Sequence, residues 1–316
     1  LMSGFVLKRI LSVLPVLFSV TFFVFLTVYL SPGDPVSNIL GQQATPENVA
    51  ELRKEFGLDE PFLMQYFLWL SHIVKGDLGD SIIMRVPVMD VLMKNFKNTL
   101  ILTLGSLIIC VGLGVVIGVL SGLKPSSWFD RISMFLAQLG ASVPVFWLGI
   151  VLMWIFSLQL GWLPSSGMYD MRNEGSFFSL LEHMLLPSIA TAIVSLAVIA
   201  RLTRSSLMDV MNADYIKTFR SYGMPASLII RRHVFRNMLS PVINITGLQI
   251  GHLLGGVLFV EMVFSWPGIG TLLYQAITAH DIPMIQAGVL FVAFSFVLVN
   301  LITDLVVDML NPRMSG

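Results

Sequence analysis

Six long stretches without one charged side chain govern what this chain can become. They are Ile10–Leu30, Asn98–Leu123, Ile132 to about Leu158, His183–Ala200, Asn237–Val260 and Ile282–Thr303. About 20 apolar residues wound as a helix cross the hydrocarbon core of a bilayer, and each stretch reaches or approaches that length. Leu, Val, Ile and Phe run on without a two-residue alternation, which excludes a β-barrel. The prolines inside (Pro15, Pro144, Pro187, Pro241) are tolerable where neighbouring helices re-satisfy freed carbonyls. The fold class that follows is all-α: a polytopic membrane protein with six transmembrane helices, its main partner the lipid bilayer. Composition agrees, since 12% of the 316 residues are charged against about 25% in a soluble domain. Soluble enzymes and disordered regulators are excluded. With 19 basic and 19 acidic residues the net charge is zero, so there is no basic surface for nucleic acid.

Orientation follows from the basic residues, which favour cytoplasmic loops. With the N-terminus inside, the inner segments hold Lys8, Arg9, Lys124, Arg131, the seven basic residues from Arg201 to Arg236, and Arg313. The outer segments hold seven, six of them in the long stretch after the first span, where charge matters least. Both termini are expected on the cytoplasmic side. The first stretch is longer than a signal-peptide core and no A-x-A-like site follows it, so it reads as a retained helix.

The chain therefore divides into three parts. Residues 1–30 form an N-terminal cytoplasmic tip and the first span. Residues 31–97 form an extracytoplasmic segment, and 98–316 a five-helix core interrupted by a cytoplasmic segment at 201–241. A structureless outer segment of that length would be unusual. Thr45-Pro46-Glu47-Asn48 looks like a helix start with Pro at the first position, continuing over Val49–Phe56 to Gly57. Pro61–Val74 reads as a second, amphipathic helix with Tyr66 and Trp69 at interfacial depth. Gly76-Asp77-Leu78-Gly79 is a turn.

The spans lack the fixed charges with which ion-driven transporters, proton pumps and voltage sensors work. His252 is the titratable group well inside a span and reads first as a helix–helix hydrogen bond. Glu261 stands just past the outer end of the fifth span, open to either an outer-gate role or a water-facing interfacial position. No H-E-x-x-H, G-x-S-x-G or G-x-x-x-x-G-K-[ST] sequence occurs, so no catalytic residue and no ATP-binding loop is assigned. The lone Cys110 lies in an apolar run, excluding an intramolecular disulfide, and no metal ligands are assigned. Gly112, Gly114, Gly118 and Gly122 are spaced for close helix packing. A membrane-embedded enzyme and an ion-coupled secondary transporter are the competing classes. The first lacks an acid, base or nucleophile constellation, the second intramembrane charge.

The segment 201–241 is the most informative. Asn212 is a plausible N-cap, Asp214 suits the first turn, and Gly223 with Pro225 marks a stop, predicting a helix over 213–222. Tyr215, Phe219 and Tyr222 share one face with Ile216 beside them, while Lys217 and Arg220 point elsewhere. A helix so short is marginal alone, so that face rests either on its own bundle or in a partner's groove.

Here the chain resembles a known family. Tyr215-Ile-Lys-Thr-Phe-Arg-Ser-Tyr-Gly223, followed by Arg232-His233-Val-Phe-Arg236-Asn237-Met-Leu-Ser-Pro241, is similar to the EAA-type signature of bacterial ABC-importer permeases. The version is that of the dipeptide, oligopeptide and nickel importers. Phe219 and Ser221 replace its usual alanines, and Tyr222 its common lysine. Further blocks follow in the family's order: Pro32-Gly33-Asp34-Pro35, Gly76-Asp77-Leu78-Gly79-Asp80-Ser81, Trp128-Phe129-Asp130-Arg131, Leu163-Pro164-Ser165-Ser166-Gly167, Glu261 through Gly270, and Asn311-Pro312-Arg313.

The resemblance implies a type I-like ABC-importer permease fold in a bacterial cytoplasmic membrane. It implies a second, homologous permease subunit, two cytoplasmic ATPase subunits that bind ATP and Mg, and an extracytoplasmic solute-binding protein. This subunit would enclose half the pathway for a peptide-like solute or a metal chelate, such as nickel bound by a metallophore, and work by alternating access. Asp214, Tyr215, Ile216, Phe219, Arg220, Tyr222 and Gly223 would couple to an ATPase. Glu261, Trp266, Pro267 and Gly268 would lie near the outer gate.

Overall fold

The computed structural model describes residues 2–30, 45–47, 49–50, 59–170 and 175–310. Its described secondary structure is helical, apart from one isolated antiparallel bridge between Asp80 and Pro87. In order the helices are α1 (Met2–Tyr29), α2 (Phe62–Val74), α3 (Val88–Leu123), α4 (Trp128–Ser142), α5 (Val145–Leu152, prolonged by a π-helical stretch Met153–Gln159), α6 (Phe177–Met211) and α7 (Asp214–Ser221). There follow α8 (Ala226–Ile229, with a π-helical stretch Ile230–Val234), α9 (Phe235–Val263), α10 (Ile269–Thr278) and α11 (Ile282–Leu310). Most of the expected helix after Thr45 lies outside the described residues, as do Pro32–Pro35 and Asn311–Arg313.

Four described helical runs are long and apolar enough to cross a membrane: Val88–Leu123, Phe177–Met211, Ala226–Val263 and Ile282–Thr303. The stretch expected as a third continuous span is instead two half-helices, α4 and α5, meeting at 109°. Pro144 is the reason. It lacks an N–H and disfavours helical backbone in the residue before it, and Val143 is extended at φ −87°, ψ 132°. The first helix, 28 residues long, contributes the shorter described apolar stretch Leu14–Thr27. The set is consistent with six spans.

The chain packs as two compact units. The first comprises Leu1–Lys97 with Leu272–Val297. In it the rings of Phe22 and Phe25 on α1 meet Phe62 and Tyr66 on α2 at 5.5–6.0 Å between centroids, and the Thr21 and Tyr66 hydroxyls pair at 2.8 Å. Tyr66 is thus buried at 1% exposure, not displayed at an interface as expected. The turn after α2 is held by Asp77, which accepts from the Gly79 N–H at 3.0 Å and pairs with His72. Those contacts keep its carboxyl below the usual carboxylate range. Asp281, at the start of α11, is buried and accepts hydrogen bonds from the Ser81 hydroxyl and the Ile82 N–H.

The second unit comprises Asn98–Thr271 with Leu298–Gly316. Glycines on α3 set its central contact. A Cβ built at Gly114 would meet Ile199, one at Gly118 would sit 2.6 Å from the Ala200 carbonyl, and one at Gly122 would meet Leu207. Both sequences rise together, so α3 and α6 run parallel. Gly112, also expected in this seam, faces open space. Two parallel helices need an odd number of crossings between them, so the bent α4–α5 pair traverses the membrane and is not a re-entrant loop. On α9 the order reverses. Leu207 packs with Met238, Ile199 with Leu253, and Leu186 with Val260. Helices α6 and α9 are therefore antiparallel.

Candidate functional site

The helix of the expected coupling segment begins one residue later than its sequence suggests. Asn212 is not an N-cap. It has helical backbone (φ −90°, ψ −5°) and closes α6, whose last turn continues to Met211. Ala213, extended at φ −63° and ψ 145°, precedes α7. Asp214 occupies the first turn as expected, where its carboxylate favours the dipole and pairs with Lys217 at 2.8 Å. Gly223 closes the helix at φ +74°, a conformation that costs a side-chain-bearing residue energy.

The aromatic face of α7 is divided between two surroundings. Ile216 is completely buried with Leu207, Ile229, Val234 and Met238. Phe219 packs against the same cluster and lies 4.4 Å from the His233 ring. Tyr215 is 40% exposed, and its hydroxyl accepts from the Asn237 amide at 3.1 Å. Tyr222 is 81% exposed. The two halves of the signature thus fold on each other, with His233 and Asn237 holding Phe219 and Tyr215. What remains outward is Asp214, Lys217, Thr218, Arg220, Ser221 and Tyr222.

A half-buried ion pair joins α4 to α6, and sequence reasoning did not single it out as a site. Asp130, 3% exposed, receives Arg204 bidentately at 2.5 and 2.8 Å, and the Ser126 N–H at 2.8 Å. The block Trp128–Arg131 held the clue to Asp130. Nothing local marks Arg204 as its partner, 74 residues away.

The second group of expected residues forms one closed turn. Glu261, at the end of α9, is fully buried. The Thr99 hydroxyl donates to its Oε1 at 2.6 Å, and the Gly270 N–H to its Oε2 at 2.6 Å. It therefore faces no water and acts as an anchor for the start of α10. Trp266 is also fully buried and not at an interface. Its indole N–H donates to the Asn98 carbonyl at 3.0 Å. Pro267 offers its carbonyl to the Asn98 amide at 2.8 Å. At Gly268 the Glu261 carboxylate already occupies the place of a Cβ. Asn98 and Thr99 are the members that sequence reasoning missed, being more than 160 residues away.

A family model described as "binding-protein-dependent transport system inner membrane component" matches residues 114–316. That family's N-terminal model matches residues 2–103. The chain belongs to this family. As a permease it is 39% identical to the dipeptide transport system permease protein DppB of Alkalihalophilus pseudofirmus, over 99% of each chain. It is 40% identical to the glutathione transport system permease protein GsiC of Salmonella typhimurium, over 98% of each. The fold of the inward-facing MetNI methionine ABC transporter matches with a TM-score of 0.53 at 17% identity, covering 70% of this chain and 96% of that one. The permease is a multi-pass membrane protein of ABC-importer type, and the enzyme and secondary-transporter readings give way.

Proposed function

We propose that this permease carries a peptide-like solute inward through half of a pathway completed by a second, homologous permease. Relatives named for dipeptide and for glutathione transport, at 39–40% identity over nearly the whole chain, support that solute class over a metal chelate. Two cytoplasmic ATPase subunits, binding ATP and Mg, supply the energy, and an extracytoplasmic binding protein delivers the solute. The membrane is a bacterial cytoplasmic membrane, with both termini inside.

Coupling runs through α7. The observation that carries this is the division of its surface. Ile216 and Phe219 tie the helix to the bundle, while Tyr222, Arg220, Thr218 and Lys217 stand out from it, exposed among the described residues. An isolated eight-residue helix would not hold its shape in water. This one is preformed, so a partner groove does not have to order it. A push on it is transmitted to α6 and α9 through the buried Ile216.

The test is reconstitution with the partner subunits. Uptake of a labelled dipeptide should require ATP hydrolysis and survive a proton uncoupler. Tyr222→Ala should weaken ATPase co-purification by about 2 kcal/mol, roughly thirtyfold, as an exposed aromatic anchor does. Lys217→Ala should do much less. Dipeptide uptake driven by an ion gradient through this subunit alone would refute the proposal.

A further inference from the structure

The outward face of α9 differs in kind from the outward face of α3. On α3 the exposed residues between 104 and 120 are Leu104, Ile108, Gly112, Leu113, Val116 and Leu120, a stripe without a polar side chain and suited to acyl chains. On α9 the exposed positions beyond Pro241 are Leu248, His252, Gly255, Phe259 and Met262, spaced 4, 3, 4 and 3 residues apart along one stripe. Gly247, Gly251, Leu253, Val257 and Val260 are buried in the bundle behind them. His252 lies about 5 Å along the axis from the middle of the helix, at 1.5 Å per residue. That depth falls within the hydrocarbon layer. The described residues provide no hydrogen-bond partner for its ring, so the internal helix–helix bond expected from the sequence is not made. Gly255 and Gly256, one turn further on, have nothing within 4 Å of a built Cβ. Between His252 and Phe259 the stripe therefore carries no side chain.

An imidazole at that depth is costly against lipid, and ionisable residues in spans face a bundle interior or a water-filled cavity. We infer that the Leu248–His252–Gly255–Phe259 face of α9 lines the aqueous translocation path, and that His252 hydrogen-bonds the polar main chain of the passing solute. The solute class rests on the function proposed above; the path assignment does not. An imidazole can donate through one nitrogen and accept through the other, which suits the alternating carbonyl and N–H groups of a peptide. The open backbone at Gly255 and Gly256 gives such a chain room to lie against the helix.

Two readouts on the full transporter complex in proteoliposomes test this. In a Cys110→Ala background, cysteines replace His252, Leu248, Ile108 or Val116, and a membrane-impermeant methanethiosulfonate is added from both sides during turnover. His252→Cys and Leu248→Cys should react at least about tenfold faster than the two α3 variants, as water-lined and lipid-facing positions differ. In the second, His252→Ala should lower uptake of a labelled dipeptide by about tenfold, the cost of one lost hydrogen bond. His252→Gln should restore most of it, and both variants should co-purify with the partner subunits as the wild type does. Labelling of His252→Cys as slow as Ile108→Cys would overturn the path assignment, placing the face against lipid or a dry partner helix. If the wild-type complex takes up no dipeptide while His252→Cys labels rapidly, the solute class falls and the path assignment stands. Rapid labelling with full uptake by His252→Ala would overturn the role of His252 as a solute contact.

Discussion

Glu261 shows how a single side chain can be found in the sequence and misjudged in its surroundings. Its place beside Trp266-Pro267-Gly268 marks it as special, yet the Thr99 hydroxyl that satisfies it is 162 positions away. No local pattern predicts that pairing. A carboxylate accepts on both oxygens, whereas an amide accepts on one; its nitrogen would have to reverse the Thr99 contact, donating to a hydroxyl that already accepts from the Ile269 N–H. Glu261→Gln should therefore weaken the Thr99 contact and lower the stability of the purified permease by about 1 kcal/mol, read as a fall in its melting temperature. Thr99→Val combined with it should be less than additive, since the two changes remove one shared contact. Gly268→Ala should be worse than either, because the carboxylate occupies the position of the added methyl and backbone surrounds the turn. If Gly268→Ala melts with the wild type, the turn is looser than its geometry states.

Among the elements, the long helices were the most legible and the breaks the least. Apolar length located α3, α6, α9 and α11 because the bilayer demands that length whatever the tertiary packing. The same rule made one span of 132–158, where Val143 and Pro144 turn the chain by 109°. The proline was visible. What it does depends on whether neighbouring helices re-satisfy the freed carbonyls, and that is tertiary information. In the glycine run, spacing correctly suggested a packing seam but could not tell Gly118 from Gly112. Gly118→Ala should disrupt the α3–α6 pair, at a cost of about 1–3 kcal/mol for overpacking, while Gly112→Ala should be silent, both read from the melting of the detergent-solubilised permease. In the coupling element, periodicity placed Tyr215, Phe219 and Tyr222 on one face. The packing then split them, because α7 lies on its own bundle through Ile216. Asp130→Asn, leaving Arg204 partly buried without its counter-charge, should cost about 3 kcal/mol. Exchanging the two residues should recover part of that loss if the pair itself, and not its backbone contacts, provides the brace.

For the whole molecule, sequence yields sidedness more readily than shape. The excess of basic residues on alternate loops is the argument for which face is inner, and the parallel run of α3 with α6 bears only on the number of crossings between them. Each helix must begin on the same side, with one full crossing between them. Cysteines at Lys75 and Ser227 should accordingly label from opposite faces of intact vesicles when Cys110 is removed. Labelling of both from one side would discard the orientation. Which helices meet which was beyond the sequence, because apolar stripes are interchangeable until glycine, proline and the buried polar groups select among them.

Helix α9 gives the proposed coupling element at one end and the Glu261–Gly270 turn at the other a common shaft. Met238, near its inner end, shares a buried cluster with Ile216 of α7, and Glu261 fastens its far end to Thr99 and Gly270. The 23 steps between Met238 and Glu261 come to about 35 Å of helix, a stiff rod interrupted only by Pro241 near the inner end. A displacement at the handle is carried along that rod toward the latch, where two hydrogen bonds of 2.6 Å hold the turn. The outer turn therefore either travels with the shaft or releases it, so the handle cannot move while the latch stays both closed and still. Paired spin labels at Asn237 and Met262 should keep a fixed separation through the ATPase cycle, whereas a pair at Met262 and Leu104 should not.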